Sequence, residues 1–259
     1  MASKQSAKGK SKKGGGDTQD DVKREQKLQA ILMADSFEKS FRPITWERPK
    51  VLLPLVNVPM LEYTVEFLSQ NGVEEIFLVC VWHAKQLQHY VDKISKWPKS
   101  VTVHCMAMPS CLSAGDALRE LDSLGLIRSD PFVLISGDVI SNMNVKKAIE
   151  FHKARRQQDH NCIMTTVLKP VQRGAGSKPV LDDLVVGMDK QSGQIILFND
   201  TYKKKSTAIP LEILADHPSL VIRTDLLDCH VDICSPELML QFSDNFDYQD
   251  IRKYVNEYV

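Results

Sequence analysis

From Leu28 onward, short apolar runs alternate with amphipathic segments. Leu28–Met33 is apolar but for Gln29 and has the length of a buried strand. After Pro59, the residues Leu61, Val65 and Leu68 recur at helical spacing and Gly72 supplies the stop, which predicts a helix. Glu75–Val81, with Ile-Phe-Leu-Val-Cys inside it, reads as a buried strand. Leu87, Tyr90, Val91 and Ile94 mark a second helix, ended by Trp97-Pro98. Val101–Met106 and Phe132–Ile135 are the next strands. Helices are predicted at Ala114–Leu124, with Gly125 behind it, and at Val145–Gln157. Such runs separated by helices imply a mostly parallel central sheet, covered by helices on both faces and joined by right-handed crossovers.

The pattern changes after residue 160. Cys162–Leu168, Leu184–Asp189 and Gln194–Asn199 are strand-like, and Lys190-Gln191-Ser192-Gly193 has hairpin turn chemistry. Val171–Pro179, with Gly174, Gly176 and Pro179, reads as a mobile surface loop. Leu211–Leu214, Leu220–Arg223 and Cys229–Cys234 are expected as strands, followed by a helix that Pro236 initiates. The expected architecture is Rossmann-like α/β with an antiparallel extension and no internal repeats.

At 259 residues, 43% hydrophobic and 25% charged, the chain suits one large α/β domain. Its zero formal net charge is uneven, because Lys4, Lys8, Lys10, Lys12 and Lys13 crowd residues 1–16 without an acid. The alternatives are a basic arm for RNA or ribosomes and a solvated polar tail; lysines without aromatics or arginines carry no nucleic-acid specificity, so residues 1–27 are expected to be a disordered tail without RNA binding. No run of about 18 apolar residues or signal-peptide pattern is found, so no membrane segment is expected. The cysteines Cys80, Cys105, Cys111, Cys162, Cys229 and Cys234 form no Cys-x-x-Cys pair, and the histidines lack metal-ligand spacing. That usage fits reduced thiols in the cytosol and no structural metal.

Candidate chemistry gathers between residues 28 and 50. A strand, a polar loop and Pro49-Lys50 have the layout of a nucleotide-binding loop, but the loop is Asp35-Ser36-Phe37-Glu38-Lys39-Ser40. Phosphate-wrapping loops need glycines so that backbone N–H groups approach the ligand, and none is present. A carboxylate about 4 Å from a phosphate charge, at an effective dielectric near 20, repels it by about 4 kcal/mol. Asp35 and Glu38 therefore oppose nucleotide binding.

Several segments carry a family likeness. Arg42-Pro43-Ile44-Thr45, Arg48-Pro49-Lys50 through Leu55 and Asn57-Val58-Pro59 resemble the opening of the sugar-nucleotide pyrophosphorylases. Ser113-Ala114-Gly115-Asp116-Ala117-Leu118 is similar to that family's nucleotide-side segment, and Ser136-Gly137-Asp138 to its Gly-Asp. The resemblance implies a nucleotidyltransferase fold over residues 28–259, with Lys50 and Asp138 as relics of a phosphate-binding lysine and a metal-binding aspartate. The plainer reading makes Lys50 a paired, partly buried lysine and Asp138 a brace for its turn. His230-Val231-Asp232-Ile233-Cys234 departs from the family's sugar-side strand.

Phe242-Ser243-Asp244-Asn245-Phe246-Asp247-Tyr248-Gln249-Asp250-Ile251-Arg252 and Phe41–Phe67 further resemble the epsilon-subunit family of eukaryotic translation initiation factor 2B. This implies pairing with a gamma subunit and the other subunits of that guanine-nucleotide exchange factor, and docking of initiation factor 2 through its gamma subunit at Asn245 and Phe246. The alternative for these two is a loop residue and an aromatic anchor for the last helix. Members carry exchange activity in a C-terminal helical domain after a β-helix, and neither lies within these residues. The expectation is an assembly and docking domain with no catalytic residue and no cofactor. The rival is an active or ligand-sensing mannose-1-phosphate guanylyltransferase-like enzyme using Lys50 and Asp138. Trp82, His83 and Trp97 are expected in the core or at its rim.

Overall fold

The chain lays down β1 (Gln29–Met33), 3-10 turns at Ile44–Trp46 and Lys50–Leu52, and a hairpin of β2 (Pro54–Leu55) and β3 (Val58–Pro59). Next come α1 (Met60–Gln70), β4 (Glu75–Cys80), α2 (Ala84–Lys93) and β5 (Thr102–Ala107). α3 (Ala114–Leu124), β6 (Phe132–Ser136), α4 (Val145–Gln158) and β7 (Met164–Pro170) follow. The later part holds β8 (Leu184–Asp189), β9 (Ile195–Asp200), α5 (Leu211–Asp216), β10 (Leu220–Arg223), β11 (Leu226–Cys234), α6 (Glu237–Asp244) and α7 (Ile251–Tyr258). This computed structural model describes residues 27–34, 37, 41–171, 184–200, 209 and 211–258. The basic tail, most of the loop expected at Val171–Pro179, and Asp35, Ser36, Glu38, Lys39 and Ser40 lie outside the described residues.

The main sheet has the order β5-β4-β1-β6-β11-β7. Its first four strands are parallel, and β11 runs antiparallel to both β6 and β7. A second sheet, β10-β8-β9, is antiparallel, which is the expected extension. Alternate side chains enter opposite layers, and both layers are buried, which is why the parallel strands read as continuous apolar runs. Ala30, Leu32, Ile76, Leu78, Val133 and Ile135 pack under α1, α2 and α4 through Leu61, Val65, Leu87 and Val145. Ile31, Met33, Phe77, Val79, Phe132 and Leu134 pack under α3, α6 and α7 through Leu118, Leu121, Leu238, Phe242 and Tyr254. Each fully buried Leu, Ile or Phe contributes about 1.5–3 kcal/mol, so these two layers dominate the stability.

Local signals end the helices where sequence chemistry places them. Ser113 Oγ accepts Asp116 N–H at the start of α3, and Gly125 closes it at φ +60°. The Asn71 amide bonds Phe67 O at 2.9 Å and accepts Val145 N–H at 2.8 Å, tying the end of α1 to the start of α4. One expected element is corrected. Leu211–Leu214 is the start of helix α5, with His217 N–H on Ile213 O at 3.0 Å, and pairs with no described strand. Leu, Glu and Ala favour helix, while Leu211 and Leu214 are exposed and have no sheet face to fill. Residues 51–58 form a turn and a hairpin, with exposed Val56 at φ +62° at its tip.

Candidate functional site

The direction of chain progression reverses at β1: β4 and β5 build to one side of it and β6 to the other. Ligand-binding crevices in open α/β sheets form outside the carboxyl ends of strands at such a point. Gly137 N–H bonds Met33 O at 2.8 Å across it. A Cβ on Gly137 would lie 2.3 Å from Val51 Cγ1, so only glycine lets the turn after β6 reach the 3-10 turn bearing Lys50.

Lys50 and Asp138 meet at this place. Lys50 Nζ donates to Asp138 Oδ2 at 2.6 Å, and Ser136 Oγ donates to Asp138 Oδ1. The ammonium also sits 4.5 Å from the centroid of the Phe41 ring. Lys50 is buried, while the Asp138 side chain keeps 33% exposure. Burial opposes ionisation of Asp138, but the bonds from Lys50 and Ser136 outweigh it and hold the carboxyl below its ordinary value. A Mg²⁺ site needs several oxygen ligands, and here one carboxylate has both oxygens engaged. Among the described residues no group of three or more His, Cys, Asp or Glu is placed to hold a metal ion. As arranged, these residues do not fit the cation that the fold's chemistry employs.

A second ionic group stands on β11. Arg252 of α7 donates to both oxygens of Asp228, at 2.5 and 2.9 Å, and to Asp232 at 2.9 Å. The β11–β7 register shifts between Asp228 and Asp232, and His230 between them has φ +50°. Burial pushes the Asp232 carboxyl up, with Arg252 opposing and Asp228 adding to the shift. The strand that departs from the family's sugar-side pattern thus spends its carboxylates on holding α7.

The turn bearing Asn245 and Phe246 leaves the end of α6. Phe246 is 74% exposed, and its ring lies 5.2 Å from the Arg119 guanidinium. Asn245 Oδ1 accepts Asp247 N–H at 3.0 Å. Gly115 N–H bonds Gln249 O at 3.0 Å, so the start of α3 is packed against this segment. The expected positions therefore fall into separate places: Lys50 and Asp138 at the strand ends, Asn245 and Phe246 on the helical layer of α3, α6 and α7. Phe37, the one described member of the degenerate loop, has φ +55° and packs against that layer. Trp97 Nε1 donates to Glu62, His83 Nε2 lies 3.1 Å from Thr45 O, and Trp82 is exposed. Ser136 and Arg252 stand in motifs visible in the sequence but without a role there, and Arg119 was not singled out. Asp116 and Arg119 at i,i+3 were visible as a pair, but nothing local reveals the far carbonyls.

The nucleotidyl transferase family model matches residues 29–175, and the chain belongs to that family. Within it, the chain is similar to translation initiation factor eIF2B subunit epsilon of Dictyostelium discoideum, 45% identical over 94% of this chain and 34% of that protein. It thus spans about a third of that relative's length. Mannose-1-phosphate guanylyltransferase 1 of Arabidopsis thaliana is 26% identical over 66% of this chain and 44% of its own. The solved structure of a UDP-glucose pyrophosphorylase with UDP-glucose aligns over 89% of this chain and 88% of that one, with TM-score 0.58 and 18% identity, a likeness of fold. No described helix is long and apolar enough to cross a membrane.

Proposed function

We propose that this chain is a catalytically silent nucleotidyl transferase domain acting in translation initiation, as an assembly and docking module of the guanine-nucleotide exchange factor for initiation factor 2. The observation that carries this reading is the gap in likeness: 45% identity over 94% of the chain to an initiation-factor subunit, against 26% over 66% to a guanylyltransferase. The Lys50–Asp138 pair supports it. For Lys50 to meet a phosphate and Asp138 a cation, a 2.6 Å ion pair would first have to open. In this reading residues 28–259 are the domain, and its partners are the gamma subunit and the other subunits of initiation factor 2B. Initiation factor 2 docks through its gamma subunit at Asn245 and Phe246, and the setting is the cytosol. Phe246, exposed and beside a hydrogen-bonding Asn, has the make-up of a small hot spot.

Calorimetric titration with GTP, GDP-mannose and Mg²⁺ tests the silent cleft, and no saturable heat is expected. Saturable micromolar binding abolished by Asp138→Ala would establish the guanylyltransferase-like rival instead. Docking is tested by the joint change Asn245→Ala and Phe246→Ala, which is expected to weaken capture of initiation factor 2 by the assembled complex.

A further inference from the structure

The Asn245–Phe246 turn is held from beneath by one side chain. Arg119 Nη1 donates to Phe242 O at 3.0 Å, Tyr248 O at 3.1 Å and Asn245 O at 3.5 Å, and Nη2 to Asp116 Oδ1 at 2.7 Å. Two of these carbonyls belong to the last turn and C-cap of α6, the negative end of that helix, where a guanidinium is doubly favourable. The same guanidinium carries the Phe246 ring, 5.2 Å from its carbon. Asp116, which orients it, is itself fixed by Leu112 N–H at 2.9 Å. The far side of the turn is clamped too, since a Cβ on Gly115 would lie 2.1 Å from Tyr248 O.

We propose that Arg119 is the positioning residue that pre-orders the Asn245–Phe246 turn, so that an exposed aromatic is presented to its partner in one conformation. The inference rests on the docking reading of that turn and extends it to a residue outside the contact surface. Arg119 has only 12% of its side chain exposed, so its effect passes through the turn. An aromatic anchor contributes most when the cost of ordering it is met before binding. Lysine is no substitute, because a point charge lacks the planar fork that joins the carbonyls to Asp116.

The test assembles the full chain with its partner subunits and compares Arg119→Gln, Asn245→Ala/Phe246→Ala and the parent. Two quantities are read: capture of purified initiation factor 2, and hydrogen exchange of amides 243–250. Arg119→Gln is expected to speed exchange in that segment while β1 and β6 stay protected, and to weaken capture about tenfold. Unchanged capture with Arg119→Gln, alongside lost capture with the double variant, overturns the proposal and leaves the docking reading standing. Unchanged capture with the double variant defeats the docking reading, and the proposal falls with it. Should Arg119→Gln fail to assemble, Asp116→Asn replaces it by removing only the charge that orients the guanidinium. Parent-like exchange and capture there count equally against the proposal.

Discussion

Arg252→Met should be among the most damaging single substitutions away from the central strands. The guanidinium holds two carboxylates, Asp228 and Asp232, whose side chains are 8% and 4% exposed. Removing it leaves two buried carboxylates facing one another, with only the exposed His230 imidazole, 3.6 Å from Asp228, as a nearby basic group. Breaking a buried ion pair from one side costs about 3–5 kcal/mol. With a urea slope of about 3 kcal/mol/M for a domain of this size, the midpoint should fall by about 1–1.7 M. The pH dependence gives the cause away. Without Arg252, Asp232 favours its protonated form, so its folded pKa rises further above the ordinary 3.8. A raised carboxyl contributes full stability only at low pH and loses it as pH rises above 3.8, so the deficit should shrink as pH is lowered toward 3.8. Adding Asp228→Asn and Asp232→Val should recover at least half of the loss. A midpoint shift under about 0.3 M, or a triple variant no better than the single one, would refute the view that α7 is held by charge rather than by Tyr254 packing alone.

Three further outcomes follow from the same physics. His152 is fully buried between Thr165 Oγ1 at 2.9 Å and Ser235 Oγ at 3.0 Å, and burial, then Arg156, lower its pKa below the ordinary 6.5. The unfolded chain binds that proton first, so thermal stability should fall as pH drops below 6.5, by up to about 1.4 kcal/mol per pH unit, and His152→Gln should flatten the slope. Lys50→Ala and Asp138→Ala should show a coupling of about 1 kcal/mol in a double-mutant cycle at pH 7. Because the Asp138 carboxyl is depressed below 3.8, that coupling should persist at pH 3.8 and fade only below it, which a series of urea melts from pH 7 downward through 3.8 would check. Gly115→Ala puts a Cβ where Tyr248 O stands, and should cost about 1–3 kcal/mol in urea unfolding, whereas Gly125→Ala meets no atom but is strained by φ +60°.

Much of the scaffold is legible in the sequence. Ala114–Leu124 closes at Gly125 as expected, because a glycine C-cap is local chemistry. Pro236 opens α6 and the Lys190–Gly193 turn joins β8 to β9 for the same reason. Leu211–Leu214 misled because a short apolar run has no period long enough to separate strand from helix. Lys50 and Asp138 were legible as residues of interest, yet as two separate positions. Their pairing, 88 residues apart, needed β1 and β6 to be neighbours with a glycine turn between them.

The sequence by itself determined the alternation of strands and helices from residue 28 to about 160, the two-faced burial of the inner parallel strands, and the absence of glycines from residues 35–40. These are properties of near neighbours, set by side-chain period and backbone freedom. Only the tertiary structure decided what the charged groups do. Arg119 reaches carbonyls 123 and 129 residues away, and Arg252 crosses from α7 to the bulged strand β11. In a buried layer a charge must find an opposite partner or remain uncompensated. Which partner it finds is set by which strands and helices the topology brings together, and no local pattern carries that information.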